Sequence, residues 1–83
     1  MMHITVKTFA QTRELSGEDN ISLDLEPDAT IDTVIKHLTA RGSHWELALS
    51  GSILSARNHQ LCDKQTVLND GDEVAFFPPV TGG

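Results

Sequence analysis

The chain has 83 residues, 39% of them hydrophobic and 22% charged, and a formal net charge of -6. That suffices for one small domain with a limited core, and no apolar run approaches the ~20 residues needed to span a bilayer. Twelve Asp and Glu stand against six Lys and Arg, which disfavours nucleic acid, whose phosphates call for a basic surface. The acidity points to a partner surface that is basic at least in part, and it equally serves solubility. The start, Met1-Met2-His3-Ile4-Thr5-Val6-Lys7, has no signal-like apolar segment. The single cysteine, Cys62, excludes an internal disulfide framework. A cytoplasmic chain without membrane contact is expected.

Ile4, Val6 and Thr8 alternate with His3, Thr5 and Lys7, which predicts a first strand. Residues 9–15 read as a short helical turn stopped near Gly17. Residues 20–26 alternate again and predict a second strand, hairpin-paired with the first and ended by Pro27. Thr30 suits an N-cap, with Asp32 in the first turn. Ile31, Val34, Ile35 and Leu38 then fall on one helical face, and Gly42 offers a stop. Residues 45–49 make a short helical piece, and residues 53–58 a strand that residues 59–61 continue after a turn. Asn69-Asp70-Gly71-Asp72 is a turn signal, and Val74-Ala75-Phe76-Phe77 a compact apolar strand ending at Pro78. The order β-β-α-β-β predicts an α+β domain over residues 1–77: a mixed sheet with one main helix across one face and the first and last strands paired centrally.

Little in the chain resembles catalytic machinery. No glycine-rich phosphate loop is present. His3, His37, His44 and His59 lack a metal-ligand spacing with Cys62. Cys62 and His59 lie three apart, which on a strand points them to opposite faces. No catalytic residue, bound cofactor or metal is therefore expected. Phe76 and Phe77 must face opposite sides of a strand. One belongs to the core, and the other, with Leu54, is a candidate partner interface. The alternation alone does not say which phenylalanine is which.

The end is the most informative part. Residues 78–83, Pro78-Pro79-Val80-Thr81-Gly82-Gly83, read as an extended, flexible tail reaching roughly 20 Å. The prolines favour an extended path, and glycine lets a backbone pass walls that a side chain would meet. Such a tail can thread a partner's narrow tunnel and present its terminal carboxylate there. Taken alone, Gly-Gly is equally compatible with a frayed terminus.

Two segments together carry a resemblance. Phe9-Ala10-x-x-Arg13-Glu14-Leu15 and the run from Asp70-Gly71-Asp72-Glu73 through Phe76-Phe77-Pro78-Pro79-Val80-Thr81-Gly82-Gly83 resemble the small, sulfur-carrier subunits of molybdopterin synthases. Arg57 departs from the small apolar residue these proteins often carry before Asn. The resemblance implies the β-grasp fold of ubiquitin and a Gly83 carboxylate adenylated by an E1-like activating enzyme that binds the ATP. A persulfide donor would convert the adenylate to a thiocarboxylate. The tail would insert into the large subunit of molybdopterin synthase, in a heterotetramer, to supply sulfur for the dithiolene. Two other uses of a Gly-Gly end remain open at this point: sulfur delivery to another product, such as the thiamine thiazole, and conjugation to proteins as a ubiquitin-like modifier. A plain interaction domain with an inert tail is a third.

Overall fold

The computed structural model describes residues 1–51 and 53–79. Strand β1 (Met2–Thr8) buries Met2, Ile4, Val6 and Thr8 and turns the intervening residues outward, as its alternation requires. Strand β2 (Asn20–Leu25) runs antiparallel to it, with Ile4 opposite Leu23 and Val6 opposite Ile21. On the other side of β1 lies β5 (Glu73–Phe77), in parallel register with Val6 beside Val74 and Thr8 beside Phe76. Strand β3 (Leu54–Arg57) pairs antiparallel with β5, and β4 (Gln60–Cys62) pairs antiparallel with β3. The sheet order is β2-β1-β5-β3-β4. The first and last strands therefore meet at the centre, as expected.

One main helix covers the inner face. In α2 (Ile31–Thr39), Ile31, Val34 and Leu38 are completely buried and join Ile4, Val6, Val74 and Phe76 in one core. Its start is a reciprocal capping box: the Thr33 N–H donates to Thr30 Oγ1, and the Thr30 N–H donates to Thr33 Oγ1. Such a cap contributes ~1 kcal/mol. This mixed sheet with a helix across one face is the β-grasp arrangement.

Two short helices fill the remaining corner. These are α1 (Ala10–Ser16) and α3 (Ser43–Ala48). Trp45 in α3 is completely buried, and its indole N–H donates to Glu18 Oε2 at 3.2 Å. That bond satisfies the polar edge of an otherwise apolar side chain. Gly42 does not close α2, which ends at Thr39 with a right-handed cap residue, Ala40. Gly42 instead opens α3, its carbonyl accepting from the Trp45 and Glu46 N–H groups. The two helices follow too closely for a separate glycine stop.

The segment after β3 also departs from the sequence reading. Residues 60–62 form a fifth strand, antiparallel to β3, and His59 lies in the two-residue turn that joins them. Asn58 (φ 50°) and His59 (φ 71°) are both left-handed, as a type I′ hairpin turn requires. Pairing with β3 overrides the lack of a glycine at the second turn position.

A buried acid ties this hairpin to β5. Asp72 is 7% exposed and accepts from Asn58 Nδ2 at 3.0 Å and from the Asn69 N–H at 2.8 Å. Asn58 completes the clasp, its Oδ1 accepting from the Glu73 N–H at 2.9 Å and its own N–H donating to the Glu73 carbonyl at 2.8 Å. Replacing Asp72 by Ala strands these donors, so Asp72→Ala should lower stability by about 1–3 kcal/mol. Urea unfolding measures this; an unchanged midpoint would refute the clasp's role.

Candidate functional site

Strand β5 is held on both sides, by β1 and by β3, so the chain leaves the domain from the middle of the sheet. Ladder bonding continues to the end of β5, where the Phe9 N–H donates to the Phe76 carbonyl at 3.3 Å. β5 ends at Phe77; Pro78 is half-buried and Pro79 exposed. The candidate tail residues Val80, Thr81, Gly82 and Gly83 lie outside the described residues. What the structure defines is the root from which the tail starts.

The pleat separates the two phenylalanines. Phe76 points inward and is 0% exposed, beside Thr8 and opposite Ser55. Phe76 is thus corrected from interface candidate to core residue, because the register set by β1 puts it on the face that α2 covers. Phe77 takes the outer face and stays half-buried, directly opposite half-buried Leu54. The two remaining interface candidates are therefore cross-strand neighbours on one surface.

That surface is larger than Phe77 and Leu54. Ala75 stands opposite Ala56, and Ala56 opposite Leu61, so all three share the outer face. Leu61 is 72% exposed. Phe9 extends β1 by one extended residue (φ -136°, ψ 157°), and alternation from Lys7 sends its ring outward, 48% exposed. Neither Phe9, which the sequence offers only within a motif, nor Leu61 is among the interface candidates read from the sequence. Phe9 was legible by counting two beyond Lys7, whereas Leu61 required knowing that residues 60–62 form a strand. Phe9, Phe77, Leu54, Ala75 and Leu61, with Ala56 buried beneath them, make an apolar surface at the tail root, the kind of patch that marks a protein interface.

Charge borders the patch. Glu73 on the outer face lies 3.3 Å from Lys7 Nζ and 3.3 Å from His59 Nε2. Farther off, β2 forms a free edge within a stretch, Glu14 to Asp32, that holds seven carboxylates and no Lys or Arg. Charge along an unpaired edge discourages strand addition there.

The described residues assemble no catalytic constellation. Cys62 packs half-buried against the core, 3.9 Å from Ser55 Oγ, while His59 sits in the hairpin turn and pairs with Glu73. The sequence reading placed both on one strand; the turn separates them instead. No group of three or more His, Cys, Asp or Glu suited to a metal occurs among the described residues. Two depressions are present among the described residues: an open one of about 540 Å³ beside β4, lined by Arg57, Gln60, Leu61, Cys62, Asp63 and Thr66, and a cleft of about 250 Å³ between α1 and α3, lined by Leu15, Leu47, Ile53 and Pro78 among others. No helix of the described residues is long and apolar enough to cross a membrane.

Comparison with known proteins bears on this arrangement. A molybdopterin synthase sulfur carrier subunit from Haemophilus influenzae is 48% identical over 81 residues, covering 96% of this chain and 99% of the relative. The small archaeal modifier protein 1 of H. volcanii has the same fold, with a TM-score of 0.85 at 28% identity, over 96% of this chain and 100% of that one. A chain from a complex of subunits 1 and 2 of molybdopterin-converting factor from Helicobacter pylori aligns with a TM-score of 0.74 at 26% identity, over 99% of this chain and 100% of that one. The sequence profile of the ThiS family matches residues 6–83. By profile, by identity along nearly its whole length and by its ubiquitin-like β-grasp fold, the chain belongs to the ThiS family.

Proposed function

We propose that this chain is the sulfur-carrier subunit of a molybdopterin synthase. The observation that carries the reading is the 48% identity to a curated carrier of that name along nearly the full length of both chains. The geometry supports it: a strand fixed at the sheet centre runs into Pro78-Pro79 beside an apolar face, which suits a tail delivered into a partner docked on that face.

In this reading an E1-like activating enzyme adenylates the Gly83 carboxylate with ATP, releasing pyrophosphate. A carboxylate is a poor electrophile and an acyl-adenylate a good one. The terminal sulfur of a persulfide donor then displaces AMP and forms an acyl disulfide with Gly83. A thiol attacks the donor's sulfur, so that the S–S bond breaks, the donor is left as a disulfide and Gly83 as a thiocarboxylate. The large subunit of the synthase binds the outer sheet face, takes in the tail and uses the sulfur to build the dithiolene of molybdopterin. The complex is a heterotetramer, with one carrier at each end of a large-subunit dimer, and the reactions are cytoplasmic. The chain binds no cofactor of its own and supplies no catalytic side chain. Gly83 is the covalent site, and Pro78 to Gly82 are the threading segment.

A second reading, a protein modifier, is favoured by the TM-score of 0.85 to an archaeal modifier and by 33% identity to small archaeal modifier protein 3 of Haloferax volcanii. Isopeptide adducts on cellular proteins would support it. A carrier for the thiamine thiazole is separated by copurification: the proposal requires a large molybdopterin synthase subunit on the affinity-purified chain.

The proposal has a direct test in the threading segment. Gly82→Val should unfold at the same urea concentration as the unmodified chain, because residue 82 follows, by five positions in the sequence, the last strand, β5, which ends at Phe77. It should nonetheless form no molybdopterin, because a branched side chain blocks the narrow path. Normal product formation by this variant would contradict threading.

A further inference from the structure

We propose that Ala10 is a positioning residue for partner docking: its left-handed backbone sets the Phe9 ring on the outer sheet face. The inference rests on the reading of that face as the surface that meets the large subunit.

Two constraints close on Ala10 from opposite sides. Before it, Phe9 is extended, and its N–H continues the sheet ladder to the Phe76 carbonyl at 3.3 Å. With Ala10 itself α1 begins: Thr12 is 1% exposed, inside the domain, and the Arg13 N–H already bonds the Phe9 carbonyl at 3.3 Å. The chain passes from strand to helix through a single residue, and Ala10 makes the turn at φ 52°. That region is at ease for glycine and tolerated by asparagine, but unfavourable to alanine.

The neighbouring position breaks a local rule as well. Phe9 is the N-cap of α1, and its side chain bonds no backbone group. Ser, Thr, Asp or Asn there would satisfy a free N–H of the first turn. At 48% exposed, Phe9 gives the core little in exchange. Two adjacent departures from what folding favours mark a functional demand. The demand that fits is an aromatic ring held on the docking face beside the tail root.

The geometry also says which side yields if Ala10 leaves the left-handed region. The far end of α1 is secured: the Gly17 N–H donates to the Arg13 carbonyl at 2.9 Å, and Ser16 Oγ donates to the Glu18 carbonyl at 3.0 Å. Phe9 is held by two long backbone bonds, its N–H to the Phe76 carbonyl and its carbonyl from the Arg13 N–H, both 3.3 Å, and its side chain adds none. A residue that refuses a positive φ at position 10 therefore displaces Phe9 from the outer face and leaves α1 in place.

The experiment is a double-mutant cycle on the full chain, titrated calorimetrically into the large subunit of molybdopterin synthase, with unfolding followed separately. Ala10→Gly keeps the left-handed turn and should bind within about twofold of the unmodified chain. Phe9→Ala and Ala10→Val should each weaken binding by about tenfold, and the double variant should be no weaker than either. A purely structural role for Ala10 would lower stability in both backgrounds without this non-additivity. Should Ala10→Val not fold, Ala10→Leu, unbranched at Cβ, takes its place with the same expected pattern. Unchanged affinity in the Val or Leu variant overturns the proposal, and so does a further tenfold loss when either is added to Phe9→Ala. Failure of the unmodified chain to bind the large subunit would instead overturn the carrier reading on which this one stands.

Discussion

Removal of Gly83 should abolish sulfur transfer and leave the folded domain as stable as before. A chain ending at Gly82 still has a terminal carboxylate, but it lies one residue short, a displacement of roughly 3.3–3.6 Å. Misplacing a reacting group by ~1 Å can already cost ~100-fold in rate, so adenylation and sulfur donation should fall below detection. The core ends with Phe76, seven residues earlier in the chain, so the unfolding midpoint should not move. In vitro molybdopterin formation and a urea melt measure the two halves of this expectation. Sulfur transfer that survives the deletion would favour a domain with an inert tail.

The second large effect divides two adjacent phenylalanines. Phe76→Ala empties a site that is 0% exposed between β1, β3 and the core helix, and such truncations cost about 3–5 kcal/mol. A domain of this length has roughly 4–12 kcal/mol of stability in total. The variant should therefore be strongly destabilised, up to outright unfolding. Phe77→Ala removes a half-buried ring from the outer face, so its main effect should be on affinity for the large subunit, by about tenfold or more. Urea melts and titration of both variants check the division. Equal stability losses with equal binding losses would show that the pleat does not separate their roles.

That division shows where sequence reasoning reached its limit. Alternation established that Phe76 and Phe77 face opposite sides. Which one is inside depends on the register of β5 against β1, a contact between residues nearly seventy positions apart that no local pattern encodes. The main helix was legible because Thr30, Asp32 and the Ile31–Val34–Leu38 spacing agree with one another. So was the central pairing of first and last strands. The hairpin at Asn58-His59 was read less well because histidine is a weak turn signal, and with it went the exposure of Leu61. Phe9 was visible within a motif but hidden as a surface residue, because the left-handed turn at Ala10 is not what alanine announces. The acidic free edge at β2 likewise depends on the strand order, although the run of carboxylates was present in the sequence.

The candidate site follows the same logic. The Gly-Gly end and the segment before it are read from sequence alone. The structure adds the tail root, a strand clamped at the sheet centre, and the apolar face that flanks it. Under the proposed function the two work together: the face selects the partner, and the tail carries the reactive group to it.

The central claim is that Gly83 is the atom-bearing end of this carrier. It is tested most directly by mass spectrometry of the C-terminal peptide after incubation with ATP, a persulfide donor and the cognate activating enzyme. Mapping to the peptide is needed because oxidation of Met1 or Met2 adds nearly the same mass as exchange of oxygen for sulfur. The account predicts an oxygen-to-sulfur exchange located at Gly83. A Gly83 that stays a plain carboxylate, while a control carrier is charged in the same mixture, would contradict it.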